Sequence, residues 1–343
     1  MHDKPFISVI VPVFRVEAYI GACLTSVAAQ DYSGRVECLL VDDCGGDSSM
    51  DLAREFIGAY SGDIAFRILQ HGANRGLSAA RNTALDAAAG EYVFFLDSDD
   101  ELPADALTKL AKTIEEARRD VVAGSFRIVG KELDLQPKMP DGTVLEGEAI
   151  LRSYSERQWP VTACNKLYRT AFLRENCIRF LEGILHEDEL WSFQIALTCR
   201  SMVISRHETY IYKIREGSIT TTVASERRVS SILTILSSMQ TFSKERSMQR
   251  NVLVHNKIER FRINLFRELE NDRERFRATY EELRRTMDKP WTDALRANGL
   301  HLKRQMRDFH LALPPAAGAD YLYLWLTLEK RLGLRTRRKS PSC

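Results

Sequence analysis

Tyr92-Val93-Phe94-Phe95-Leu96 runs straight into Asp97-Ser98-Asp99-Asp100-Glu101, five apolar residues ending abruptly in acid. Five in succession, without alternation, read as a strand buried on both faces, as in a parallel sheet covered by helices. Carboxylates at the tip of such a strand are useful when something cationic is held there. In open α/β sheets, ligands lie in the crevice at the carboxyl ends of the strands. Asp97 and Asp99 can grip a divalent ion that also touches a phosphate, since Mg²⁺ commonly takes one or two carboxylates plus substrate phosphate oxygens. The other reading is a solvated acidic turn ahead of a helix opened by Pro103. D-x-D is short and common, so the neighbouring sequence has to decide.

Two further strands end in the same manner. Ile7-Ser8-Val9-Ile10-Val11-Pro12-Val13-Phe14 is apolar with a proline near its end, and Cys38-Leu39-Leu40-Val41 leads into Asp42-Asp43-Cys44-Gly45-Gly46-Asp47. Between them, Glu17 to Ala29 has apolar residues at helical spacing, and Ser48 to Tyr60 reads as a second helix. Phe66-Arg67-Ile68-Leu69 is a third strand, followed by another helix. Alternating strands and helices imply right-handed crossovers and a parallel sheet. Phe14, Asp42/Asp43 and Asp97/Asp99 would then meet at one sheet edge, in a site of nucleotide size.

In His71-Gly72-Ala73-Asn74-Arg75-Gly76-Leu77-Ser78-Ala79-Ala80-Arg81-Asn82, Ser78 suits an N-cap, Ala79 to Ala89 forms helix, and Gly90 stops it. Arg81 falls in the first turn, where the helix dipole opposes a cation. It therefore calls for a negative partner, either an external anion or a neighbouring acid.

Residues 5 to about 110 resemble the nucleotide-binding half of a family 2 glycosyltransferase of the GT-A fold, of the bacterial surface-polysaccharide type. The resemblance runs through Ser8 to Phe14, Val41-Asp42-Asp43, Asp47-Ser48-Ser49, Asn74 to Asn82 and Gly90 to Asp100, five pieces in order. It implies a mostly parallel α/β sheet flanked by helices, and an inverting enzyme using a nucleotide-sugar (a UDP-sugar in most members) with Mn²⁺ or Mg²⁺. By that resemblance Pro12, Phe14, Glu17, Asp42 and Asp43 belong to the base and ribose side. Arg81 would lie near base or diphosphate, and Asp97, Ser98 and Asp99 would meet ribose and metal, with Asp97 and Asp99 as the ligands. Two departures stand out. Phe14-Arg15 replaces the usual Tyr-Asn, and Cys44-Gly45-Gly46 replaces Gly-Ser-Thr. Ring stacking survives, while a tyrosine hydroxyl and a loop serine are lost.

The 343 residues, 44% hydrophobic, suffice for one large domain or two ordinary ones. Residues 1–222 are expected to form the catalytic domain, with 1–110 as donor half and 111–222 as acceptor half. A helical region, 223–298, and a basic tail, 299–343, would follow. Seven cysteines without C-x-x-C spacing suit reduced, mostly buried thiols. The opening residues lack a signal-peptide pattern, and Tyr321 to Leu328 is too short to span a bilayer, which needs ~20 residues. The expected location is cytoplasmic, with room for peripheral attachment to the inner face of the membrane.

Asp120 to Val129 is strand material, and Gln136 to Gly142 is a loop. His186-Glu187-Asp188-Glu189-Leu190 begins like a zinc-protease motif, but Leu190 stands where the second histidine belongs, which disfavours zinc. Its acids suit the first turn of a helix running to about Cys199. They also resemble the family's Glu-Asp pair, whose aspartate takes the acceptor proton. That resemblance assigns Asp188 as the base, with Glu187 as runner-up. Lys213, Arg215 and Ser218 resemble a later segment that closes over the diphosphate, and equally suit a solvated loop. Trp159 and Trp191 read as core before they read as sugar platforms.

From Ser225 to Met287, interleaved arginines and acids read as a solvated, salt-bridged helical surface without a nucleic-acid stripe. From Gly299 onward there are nine Lys/Arg and three Asp/Glu, beside the apolar run Tyr321-Leu322-Tyr323-Leu324-Trp325-Leu326. That combination suits a peripheral helix on an anionic leaflet, where a lipid-linked acceptor would be met, or a helix packed on the domain with a basic end. Three functional classes follow. The first is a glycosyltransferase of hexosyl or N-acetylhexosaminyl type acting on a saccharide or lipid-linked acceptor. The others are a sugar-phosphate nucleotidyltransferase and a non-catalytic nucleotide-sugar-binding scaffold. The second usually needs a Gly-rich basic loop, and Val11-Pro12-Val13-Phe14-Arg15 is not one.

Overall fold

A computed structural model describes residues 4–130, 132–214, 225–287 and 290–333. Two compact units divide the chain, Met1–Ile219 and Thr220–Cys343. The first opens with the expected alternation: β1 (Ile7–Val13), α1 (Ile20–Ala28), β2 (Val36–Asp42), α2 (Ser49–Ala59), β3 (Ala65–Gln70), α3 (Leu77–Ala87), β4 (Tyr92–Phe95) and α4 (Ala106–Glu116). It continues through β5 (Val121–Val129), β6 (Thr143–Glu146), α5 (Glu148–Ser155), β7 (Lys166–Arg169), α6 (Thr170–Glu175), α7 (Glu187–Thr198) and β8 (Ser201–Lys213).

The eight strands form one sheet in the order β3-β2-β1-β4-β7-β5-β8-β6. β1 is parallel to both β2 and β4, and β3 is parallel to β2. β7 enters antiparallel between β4 and β5, while β8 runs parallel to β5 and β6 antiparallel to β8. The sheet is thus mostly parallel on the donor side and mixed beyond it. Every residue of β1, β2 and β4 is buried, as unbroken apolar runs between two helical layers require. β3, at the edge, has no buried residue.

Pro12 lies inside β1 without breaking the ladder, because pairing with β4 stops at Ile10 and the proline falls beyond it. At the opposite end, a Cβ on Gly90 would meet the backbone and hydroxyl of Ser8 at 2.6 Å. That close approach lets the Gly90 N–H donate to Ser8 Oγ at 2.8 Å, and Ser8 Oγ donate to the buried Glu37 carboxylate at 2.6 Å. The turn after α3 is thereby tied to β1 and β2, which sets where β4 begins and so where its acidic tip falls.

The second unit is helical: α8 (Glu226–Glu245), α9 (Val252–Glu268), α10 (Arg273–Arg285), α11 (Pro290–Asn298), α12 (Leu302–Asp308) and α13 (Pro315–Arg331), with a 3-10 turn at Phe309–Leu311. Helices of both the 223–298 stretch and the tail from 299 lie in it. Three starts are side-chain capped. Ser225 accepts from Arg228 N, Asn251 from Leu253 N and Val254 N, and Asp272 from Arg275 N. Its core includes Leu236, Met239, Val254, Phe266, Tyr280 and Leu322.

Candidate active site

The ends of β1, β2 and β4 form one rim. Val13 is in register with Asp42, the Asp43 N–H donates to Val13 O at 3.1 Å, and the Leu96 N–H donates to Ile10 O at 2.9 Å. Asp97 therefore leaves the sheet beside the strand that carries Pro12 and Phe14. Pro12 is buried, whereas Phe14 is exposed with the Arg15 guanidinium 5.2 Å from its ring centroid. Arg15 Nε also donates to Gly45 O at 3.1 Å, so the two departures from the family pattern meet here. The Glu17 carboxylate accepts from Ser48 N at 3.0 Å, tying the turn after β1 to the start of α2.

The two acids after β2 have different jobs. Asp42 Oδ1 accepts from Cys44 N at 3.0 Å. Asp43 turns into the protein, and both its oxygens are engaged. Oδ1 accepts from Arg75 N and Oδ2 from Gly76 N, each at 2.8 Å. Asn74 Nδ2 donates to Oδ2 at 2.8 Å, and His71 Nδ1 lies 2.7 Å from Oδ1. This grip explains why α3 starts two residues earlier than the Ser78 cap expected from sequence. The cap is Gly76 at φ +87°, a conformation open to glycine, and Ser78 is buried in the first turn.

Arg81 finds its negative partners inside the chain. Its guanidinium is 2% exposed and spans the site, with Nη2 2.8 Å from Asp97 Oδ1 and Nη1 2.8 Å from Glu187 Oε1. Asp188 Oδ1 lies 3.5 Å from Nη1. The rings of Phe180 and Phe95 sit 5.1 and 6.0 Å from the guanidinium carbon. Burial opposes the charge, but the fields of Asp97, Asp188 and Glu187 outweigh it and raise the arginine pKa. Arg81, expected near base or diphosphate, has its guanidinium engaged by three acids of the chain itself.

Glu187, Asp188 and Glu189 form the first turn of α7 behind His186, which takes φ +62°. Asp188 Oδ1 accepts from Ala163 N at 3.1 Å. Desolvation and the adjacent Glu187 push its carboxyl up to about 7, against the pull of Arg81. Trp191 stacks on Phe180 with centroids 4.0 Å apart, and it and Trp159 are core residues.

Asp99 is half-buried beside the buried Ser98. Asp100 is buried and accepts from Tyr210 Oη at 2.9 Å and Lys213 N at 2.8 Å. Tyr210 Oη in turn accepts from Asp97 N at 3.1 Å. Desolvation and Asp97 raise the Asp100 carboxyl to about 7. Lys213 pairs through Nζ with Glu101, so the end of β8 is fastened to the acidic turn. Arg215 and Ser218 lie outside the described residues.

Several contributors escaped sequence reasoning. Asn82 accepts from Phe180 N at 3.0 Å and donates to Phe180 O at 2.9 Å, holding the approach to α7. Lys166 is buried, donates to Thr162 O at 2.6 Å, and is lowered to about 8 by burial. His71 links Asp43 to Thr83. Asn82 stood within a quoted motif. Lys166 and Tyr210 carry no local signal, since β7 and β8 become neighbours of the site only through sheet order. A cavity of about 420 Å³ lies at the other end of β4, lined by Tyr92, Arg118, Arg169 and Arg174 among others. Its arginines are engaged by Glu91, by Asp120 and by Ala88 O, and it is remote from Asp97.

Carboxylates at a rim of strand ends, clamped by one arginine to an acidic helix start, define a glycosyltransferase domain of the GT-A kind. Residues 8–176 match the model of glycosyl transferase family 2 and form a domain of that family. It is 32% identical over 227 residues to glycosyltransferase GlyA of Streptococcus pneumoniae, covering 62% of this chain and 31% of GlyA. Against the poly(ribitol-phosphate) beta-N-acetylglucosaminyltransferase TarS of Staphylococcus aureus, identity is 30% over 218 residues, 61% of this chain and 36% of TarS. The chain thus spans about a third of the length of either relative. In three dimensions it is similar to residues 1–349 of TarS in complex with UDP, with TM-score 0.72 and 21% identity over 97% of this chain and 93% of that one. A mannosyltransferase from Pyrobaculum calidifontis, in complex with GDP-Man and Mn²⁺, gives TM-score 0.56 and 18% identity over 98% and 89%.

Proposed function

We propose that this protein is an inverting glycosyltransferase. It would move a sugar from a nucleotide-sugar, with a UDP-sugar the first candidate, to a hydroxyl of a saccharide or lipid-linked acceptor in polysaccharide or glycolipid synthesis. One observation carries the reading. Through two 2.8 Å contacts, Arg81 joins Asp97 at the tip of β4 to Glu187 at the start of α7, which puts Asp188 in the same site. Acids for the leaving group and an acid for the nucleophile, ninety residues apart in the chain, are thereby held at fixed separation.

In a single displacement, the acceptor oxygen forms a bond to C1 while the bond from C1 to the diphosphate breaks. Asp188 takes the hydroxyl proton. A base with pKa near the working pH is well matched to this task, and a positioned base contributes about 10²–10⁴-fold. Phe14 offers an exposed ring for stacking a base, with Asp42 beside it. Asp97 and Asp99 would hold Mn²⁺ or Mg²⁺. Oxygen-only donors suit such hard cations, and Arg81 occupies only Oδ1 of Asp97, leaving Oδ2 without a hydrogen bond among the described residues. When bound, the ion would offset charge on the departing diphosphate. Support for the donor class comes from TarS, solved with UDP and with UDP-GlcNAc.

Asp188→Asn tests the assignment. Transfer should fall by about 10²–10⁴-fold, with donor binding by calorimetry nearly unchanged, because Arg81 keeps Asp97 and Glu187. Loss of nucleotide binding in this variant, or retained transfer, would remove Asp188 from the role. Slow hydrolysis of a panel of UDP-, GDP- and dTDP-sugars should release nucleoside diphosphate, which neither a scaffold nor a nucleotidyltransferase would do.

A further inference from the structure

Exposed apolar side chains are unevenly distributed. Of the thirteen large hydrophobic residues exposed among the described residues, eight fall between Leu295 and Leu332. They are not scattered. α13 buries Gly318, Ala319, Leu322 and Leu326, which leaves Leu324 at 66% and Leu328 at 51% exposure on its outer face. Tyr321, one turn before Leu324, donates through Oη to Met306 O at 2.7 Å and sets its ring 5.5 Å from Phe309. Trp325 stacks beyond Tyr321 at 6.5 Å. Met306, Phe309, Tyr321, Leu324, Trp325 and Leu328 therefore form one continuous strip across α12 and α13.

The charges along this strip are one-sided. Its three acids are already neutralised within the helical unit: Asp308 by Arg307, Asp320 by Arg273, and Glu329 by Arg267. Lys303, Arg304 and Arg331 have no acidic partner among the described residues. What the surface offers is an apolar, aromatic strip edged by uncompensated positive charge. No described helix is long and apolar enough to cross a membrane.

We propose that this α12–α13 face docks on an anionic lipid surface, with the aromatic rings at headgroup level and Leu324 and Leu328 reaching the acyl boundary. A second copy of the chain is the poorer occupant. A two-fold interface places the same patch on both subunits, so Lys303, Arg304 and Arg331 would confront their own equivalents. The inference is independent of the donor-site chemistry.

Full-length protein should float with phosphatidylcholine–phosphatidylglycerol vesicles at low salt, release as salt rises, and ignore pure phosphatidylcholine vesicles. Brominated acyl chains should quench the fluorescence of Trp325. The double variant L324E/L328E should lose vesicle partitioning about a hundredfold or more while hydrolysing donor at the wild-type rate. A control, L52E/V144E, removes exposed apolar residues of the sheet unit and should bind as wild type. Failure of the wild-type protein to float, or a control as impaired as the test variant, would overturn the proposal. So would a wild-type dimer by light scattering that L324E/L328E dissociates while vesicles are ignored, since the strip would then be a subunit interface.

Discussion

Two aspartates, one half-buried in the sheet unit and one buried in the helical unit, are shifted in opposite directions. In the sheet unit, Asp188 shares a single guanidinium with Asp97 and Glu187, and desolvation with the neighbouring acid drives its carboxyl up to about 7. In the helical unit, Asp308 accepts from Arg307 Nη2 at 2.7 Å, Asn298 Nδ2 at 2.8 Å and, across 2.9 Å, His255 Nε2. Burial there is outweighed by these donors, and the carboxyl is held far below the usual carboxylate range. Glu259 is neutralised beside it by Arg262. Although Glu259, Asp308 and His310 approach within 4.8 Å of one another, the two arginines already neutralise both acids, so a cation has little to gain there. A satisfied cluster holds helices together. One with too many acids for its cations stores the reactivity of a base.

The contrast can be broken by removing the central charge of each cluster, the guanidinium of Arg81 in one and the carboxylate of Asp308 in the other. Arg81→Met should be the most damaging change, because it leaves three acids facing one another without a counter-charge. Loss of about 3–5 kcal/mol is expected, with transfer falling about 10³-fold or more. Chemical denaturation and initial rates on folded protein would separate the two effects. A variant of near wild-type stability would mean that the acids relax into solvent and that Arg81 is not their clamp.

Asp308→Asn should cost about 3 kcal/mol by leaving Arg307 and His255 without their carboxylate. Donor hydrolysis measured below the unfolding transition should persist. Equal loss of hydrolysis would show that the helical cluster serves the chemistry after all.

Titration sharpens the difference with the smallest effect. In the proposed role as base Asp188 must be ionised, so transfer should rise about tenfold between pH 6 and pH 8, while nucleotide binding stays nearly flat. The stability signs are opposite for the two groups. Asp188, raised in the folded state, contributes stability that is present below the unfolded carboxylate pKa of about 3.9 and lost as pH rises through about 7. Asp308, depressed in the folded state, contributes stability present above about 3.9 and lost as pH falls below it. Melting followed from pH 8 down to pH 3 should therefore show strengthening first and collapse only at the acid end.

Much of the donor side was legible because it is local. Apolar runs from Ile7, Cys38 and Tyr92 predicted buried strands, and the acids directly after the last two predicted a rim. The Glu187-Asp188 pair was visible as a first turn and as a family resemblance. Asp43 has a structural role that its place beside Asp42 does not announce, since four groups of the 71–76 turn take its oxygens. Nothing within a few residues of Asp43 announces a partner thirty positions away.

From the order of residues alone came the alternation of strands and helices, the acidic tips, and the acids suited to a metal, while the assignment of a base came from the family resemblance. These depend on periodicity and side-chain type, which act over a few residues. Arg81's contacts with three acids of the chain, the Tyr210–Asp100 link, and the meeting of α12 with α13 were settled by tertiary packing. Each joins groups distant in the chain, and which distant groups meet depends on sheet order and helix docking, terms that no local window of sequence contains.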